Sequence, residues 1–175
     1  MPDLEIELNP IDFITIGTVG PKGRREFNLQ AGKDQQLVTV SLEKQQARQL
    51  AEAINELLRD LKQQSEGEGE SDAGVEEIVI NLRDWNMELR EPIEVQFRVA
   101  RMGLGYDDTR ELIILVAQEL INPDEFEDPD LVHPSIVRLW GTREQYKALS
   151  EHTISVVDQG RPDPRQNGHV IYYWT

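Results

Sequence analysis

Apolar and polar residues alternate from the first positions of the chain. Leu4, Ile6 and Leu8, then Phe13 to Val19, Glu26 to Gln30 and Leu37 to Leu42 read as four short strands. Pro21, Lys22 and Gly23 mark the turn between the second and third. The period then changes. Ala47, Leu50, Ala51, Ile54, Leu57, Leu58 and Leu61 recur at spacings of three and four, which predicts a helix from Glu43 to Lys62 with one apolar face. The stretch QSEGEGESDAG that follows is acidic and has nothing to bury. It predicts a flexible linker over residues 64–75 between halves of about 1–63 and 76–175.

Beyond it, Ile78 to Leu82 is expected to form a short strand, and Ile93, Val95, Phe97 and Val99 alternate against Glu94, Gln96, Arg98 and Ala100. Asp107 and Asp108 supply a turn into the apolar run from Glu111 to Leu120, which makes a hairpin. Ile136 to Trp140 reads as a further strand. Thr142 with Gln145 is a capping-box start for a second helix with the stripe Tyr146, Leu149, Thr153, Val156 and Val157. Gly160 and Pro162 end that helix, and Asn167-Gly168 suggests a turn before the aromatic run VIYYWT, read as a final inward-packed strand.

The two helical segments superimpose at an offset of 99, which pairs Gln46 with Gln145, Leu50 with Leu149, and Leu57 and Leu58 with Val156 and Val157. Each follows strands. The expected architecture is therefore a single α+β domain in which an antiparallel sheet is covered by two amphipathic helices, built as a repeated hairpin, strand and helix.

A chain of 175 residues buries roughly 70% of its unfolded surface, so a sizeable core needs no staples. The absence of cysteine excludes a disulfide framework, a thiolate zinc site and a cysteine nucleophile, and fits a reduced cytoplasmic compartment. The opening MPDLEIELNP has neither a basic start nor an apolar stretch, so neither export nor membrane insertion is expected. Eighteen basic against 33 acidic residues give a net charge of −15, which argues against nucleic-acid and anionic-membrane partners.

Several collinear blocks carry a family resemblance: GTVGPKGRREFNLQA (17–31), VSLEKQQARQLAEAINELL (40–58), FRVARMGLGYDD (97–108), VRLWGTREQ (137–145), VVDQGRP (156–162) and PRQNGH (164–169). Together they resemble the uncharacterised bacterial family DUF3090. Members of that family carry a cysteine-rich, zinc-ribbon-like insert between the last two blocks; here only Asp163 separates Pro162 from Pro164, so no structural zinc is expected. The resemblance implies no activity. It does imply an encoded neighbourhood of a phosphoinositide-kinase-like and a histidine-phosphatase-like protein, either of which is a candidate partner.

Candidate chemistry is sparse. Gly17, Gly20 and Gly23 followed by Arg24 and Arg25 resemble a phosphate-cradling loop, but the loop leads into a strand rather than a helix N-terminus and reads as a hairpin turn. Kinase activity is excluded because the accompanying catalytic and metal motifs are missing. Asp124, Glu125, Glu127, Asp128 and Asp130 with His133 offer oxygen ligands for a divalent cation, yet lack EF-hand spacing and read as a solvated loop; no cofactor is expected. Arg98 and Arg101, with Tyr106, Asp107 and Asp108 in the next turn, are the densest charged group. Arg98 either grips an anion or pairs with a carboxylate on a neighbouring strand.

Two functions remain open. One is a non-catalytic module that binds a partner protein or an anionic small molecule through Arg24, Arg98, Arg161, Arg165 and Asn167. The other is a small hydrolase or transferase for a phosphorylated substrate, with Asp107 or His169 as acid or base. The first is favoured, since no spacing guarantees that two groups of matched pKa converge. A pocket joining Arg98, Asp107 and His169 would favour the enzyme.

Overall fold

The computed structural model describes residues 4–159 apart from 22, 68–78, 126 and 129–131. Its strands are β1 (Glu5–Leu8), β2 (Phe13–Val19), β3 (Glu26–Lys33), β4 (Gln36–Leu42), β5 (Val95–Asp107), β6 (Leu112–Glu119) and β7 (Ile136–Gly141); its helices are α1 (Lys44–Gly67) and α2 (Arg143–Gln159). The class is α+β, as the alternating and helical periods predict. The sheet, however, is mixed: its order is β1-β7-β6-β5-β4-β3-β2, and the β1–β7 and β4–β5 pairs are parallel. Hairpin signals reveal only antiparallel neighbours, whereas these two pairs join strands far apart in sequence.

β1 and β2 lie at opposite ends of this order although only residues 9–12 separate them. A flat sheet would place them roughly 29 Å apart, while such a link reaches about 18 Å at most. The sheet therefore curls towards closure. The link bridges its ends directly: the Ile11 amide donates to the Trp140 carbonyl of β7 and the Asp12 amide to the Gly32 carbonyl of β3, both at 2.7 Å.

The repeat is visible in this topology. β2-β3-β4-α1 and β5-β6-β7-α2 are each an antiparallel meander followed by a helix, and each meander's last strand pairs parallel with the strand that leads into the other meander. Two apolar rows correspond across the halves: Ile16, Leu29, Val40 and Phe97, and Leu104, Leu115, Leu139 and Leu8. Most of these side chains join one apolar core with Ala47, Leu50 and Ile54 of α1 and Tyr146, Leu149 and Val157 of α2, while Leu104 packs against it.

The helix starts match as well. Gln46 Oε1 accepts from the Glu43 amide (2.8 Å) and its Nε2 donates to the Val99 carbonyl (2.9 Å). Gln145, at the offset of 99, accepts from the Thr142 amide (2.9 Å) and donates to the Ile11 carbonyl (3.2 Å). The Gln145 amide in turn donates to Thr142 Oγ1 (3.0 Å), completing the predicted capping box. Each half thus fastens its helix to the other half, α1 to β5 and α2 to the link at residues 9–12.

Three expectations are corrected. α1 runs to Gly67, because Gln63, Gln64 and Glu66 favour helix, so it takes up the start of the expected linker, whose remainder lies outside the described residues. Val79 to Asn81 form no strand. Instead Asn81 Oδ1 accepts from the Arg83 amide (3.1 Å) and caps a single 3-10 turn, Leu82–Asp84, a local alternative to a sheet ladder. The Ile93 strand starts at Val95, and Val95 is 46% exposed, so only Phe97 and Val99 of the predicted dry face are buried.

The segment between this turn and β5 covers the polar face of β2, β3 and β4. Thr15, Gln30 and Thr39 form one cross-strand row there and are all buried. Thr15 Oγ1 donates to the Met87 carbonyl (2.7 Å). Gln30 clamps Arg90, accepting from its amide (2.7 Å) and donating to its carbonyl (2.9 Å). Leu89 lies so close to Gly17 that a Cβ there would stand 2.7 Å from its Cγ. The glycine is required by this approach.

Candidate functional site

Arg98 and Asp107 sit at opposite ends of β5, which at strand rise is roughly 30 Å of separation. They share no pocket. Arg98 is ion-paired with Glu43, the residue before α1, and both side chains are largely solvent-exposed. This is a surface pair, and such pairs contribute at most about 1 kcal/mol. Asp107 Oδ1 accepts from the amides of Thr109 (2.9 Å) and Arg110 (3.3 Å), which fixes the β5–β6 turn that Glu111 completes with φ 55°.

The glycine-rich loop is a hairpin turn, as its strand context indicates. Gly20 (φ 111°) and Gly23 (φ 86°) take the left-handed conformation, and the Arg24 amide donates to the Pro21 carbonyl (2.9 Å). Arg24 is exposed at this turn. In the acidic loop Asp124, Glu125, Glu127, Asp128 and His133 are exposed, and among the described residues no group of three or more such side chains is gathered to hold a metal. Asp130, Arg161, Arg165, Asn167 and His169 lie outside the described residues, as does the aromatic run.

Two hollows occur at equivalent places in the two halves, each between one half's helix and the other half's leading strand. The first, about 450 Å³, lies beside β2 and α2 and is lined by Ile16, Gly17, Arg25, Leu89, His152 and Val156, among others. His152 Nε2 meets the Ile16 carbonyl at 2.9 Å. With Nε2–H as donor, Nδ1 is left as the free acceptor of the neutral ring. Burial pushes the His152 pKa below the ordinary histidine value, and the Ile16 carbonyl opposes that shift by favouring a donor.

The sign follows from linkage. As pH falls below about 6.5, the unfolded chain takes up this proton before the folded chain, so stability declines towards the lower folded pKa. Replacing His152 by glutamine, whose amide can still donate to Ile16, is expected to flatten that decline. Urea midpoints at pH 7.5 and 5.5 for both proteins test this; an unchanged difference between the two pH values would show that His152 does not titrate on unfolding.

The second hollow, about 360 Å³, is a deeper cleft between α1 and β5. Its walls are Leu50 and Ala53 of α1, Met102 and Leu104 of β5, and Leu115 of β6, with Gln46, Gln49 and Arg101 at the polar positions. A β-bulge shapes it. Val99 pairs with Glu119 and Arg101 with Gln118, which leaves Ala100 as an extra residue. The inward face of β5 therefore changes parity, from Phe97 and Val99 to Met102 and Leu104, and Arg101 emerges at the surface instead of entering the core. Sequence reading groups Arg98 with Arg101; the bulge and the Glu43 pair give them different fates.

The model of a family described as protein of unknown function, DUF3090, matches residues 6–168. The chain belongs to this family. No curated protein and no solved structure matches the DUF3090 chain. Among its described residues no helix is long and apolar enough to cross a membrane.

Proposed function

We propose that this DUF3090 protein is a non-catalytic binding module that takes an anionic small molecule or a partner protein on a rigid curled sheet. The separation of Arg98 from Asp107 carries this reading. Acid-base chemistry needs converging groups, and here the candidate acid is committed to a turn while the candidate anion grip is committed to Glu43. Hollows at the helix-to-strand seams suit binding instead. The phosphoinositide-kinase-like and histidine-phosphatase-like neighbours implied by the family resemblance are the first proteins to try as partners, and the cytoplasm is the proposed compartment.

The alternative is a hydrolase or transferase for a phosphorylated substrate, and Asp107→Asn discriminates. Asparagine keeps the side-chain oxygen that accepts from Thr109 and Arg110 but cannot serve as acid or base. A panel of phosphomonoesters incubated with both proteins is expected to show no turnover by either. Turnover by the native protein that the variant loses would establish the enzyme and end the binding-module reading.

A further inference from the structure

We propose that the cleft between α1 and β5 binds a small monocarboxylate with an apolar body. The inference rests on the binding-module reading and specifies its ligand and its site.

The two halves supply an internal comparison. At the offset of 99, the counterpart of His152 in α2 is Ala53 in α1, and the row that contains Ile16 in one half contains Leu104 in the other. In the second half the imidazole crosses from helix to strand and bonds the Ile16 carbonyl. In the first half a methyl group stands in that place. Gln46, nearer the start of α1, donates to the carbonyls of Val99 and Ala100 rather than to Leu104. The seam that His152 bridges is lined by Ala53 here, beside the 360 Å³ cleft. That volume lies at the small end of ligand sites.

The lining defines the ligand. Leu50 and Leu115 are buried at 3% and 0% exposure and form a dry floor, with Met102 and Leu104 beside them. Gln46 is committed at both ends, its oxygen to the Glu43 amide and its nitrogen to the Val99 carbonyl. Arg101 is the one cation in the lining, and no hydrogen bond or ion pair engages its side chain among the described residues. Its planar fork matches a carboxylate by paired hydrogen bonds. One guanidinium neutralises one charge. In a molecule of net charge −15 a second ligand charge would stay unpaired and be repelled, so a monoanion fits better than a phosphomonoester.

The test uses the full chain and three probes: decanoate, the neutral decanol of the same length, and decyl phosphate, titrated calorimetrically. Decanoate is expected to bind at least about tenfold more tightly than decanol, the ratio that a charge-assisted pair contributes, and more tightly than decyl phosphate. Arg101→Gln is expected to abolish the preference for decanoate over decanol while leaving decanol binding in place. Ala53→His, which copies the bridging residue of the other half, is expected to abolish binding of all three. Arg48→Gln, an exposed change on α1 outside the lining, is expected to leave every affinity as it was.

Equal binding of decanoate and decanol, or decanoate binding that survives Ala53→His in a folded protein, overturns the proposal, as does no binding at all. None of these results produces Asp107-dependent turnover, which is what would sink the binding-module reading, so the two failures are distinguishable.

Discussion

Replacing Gln30 by alanine is expected to destabilise the fold by about 3 kcal/mol, more than any surface change on the molecule. Gln30 is fully buried, and its amide serves Thr39 Oγ1 at 3.1 Å as well as the amide and carbonyl of Arg90. Truncation leaves those two backbone groups beneath the covering segment without partners, and each buried orphan costs roughly 1–3 kcal/mol. Gln30→Leu keeps most of the volume but restores neither hydrogen bond, so it should recover only the part of the loss that comes from packing. Urea unfolding of the three proteins at equal slope measures both terms. The Arg90 amide should also exchange with deuterium much faster in either variant, because its Gln30 acceptor is gone. A Gln30→Ala midpoint indistinguishable from the native one would mean that the covering segment is held by Thr15, Leu89 and the stacking of Arg90 on Phe13 without the clamp.

Gln30 also shows where sequence reading ends. In the pattern of β3, Glu26 to Gln30 alternates like a half-wet strand, and a glutamine on its polar face reads as solvent-facing. What buries it is residues 87–90, some sixty positions later, and no local period reports such a cover. The same distance problem hides the parallel pairs. The alternations that mark β1, β4, β5 and β7 are legible, but their partners are set by curling and by the link at residues 9–12.

By contrast, the offset of 99 is legible because a repeated fold repeats its core spacing and its helix caps. Gln46 and Gln145 are matched by number in the sequence and prove to make the same pair of bonds. The divergence of Ala53 from His152 is visible in the same overlay once the hollow is known. The bulge at Ala100 leaves a trace too. Apolar residues fall on odd positions through Val99 and on even positions from Met102, and that switch of parity marks an inserted residue. The region around Arg98 and Asp107 stands out in the sequence only by its charge density, and density carries no information about which charges are already paired.

The largest single loss is expected at Tyr146. Its ring is wholly buried between α2 and the sheet, and its hydroxyl donates to the Leu139 carbonyl of β7 at 2.6 Å. Burial raises the phenol far above its ordinary pKa, with the backbone amide of Leu115 acting in the opposite direction, so the group stays a neutral donor at any pH the fold survives. Tyr146→Ala removes the aromatic packing and leaves a cavity, which together cost about 4 kcal/mol. Tyr146→Phe removes only the hydrogen bond and should cost about 1 kcal/mol.

The ratio between the two losses carries the structural argument. Tyr146 lies one position beyond Gln145, which ties α2 to the Ile11 carbonyl in the link that brings the ends of the sheet together. If packing at this seam holds the curl, alanine should lower the urea midpoint far more than phenylalanine while the slope stays constant. A reduced slope in the alanine variant would instead mean that part of the surface is already exposed before unfolding. In that case the helix would be separating from β2 while β5 to β7 remained folded, and the two halves would be less interdependent than their exchanged glutamine bonds require.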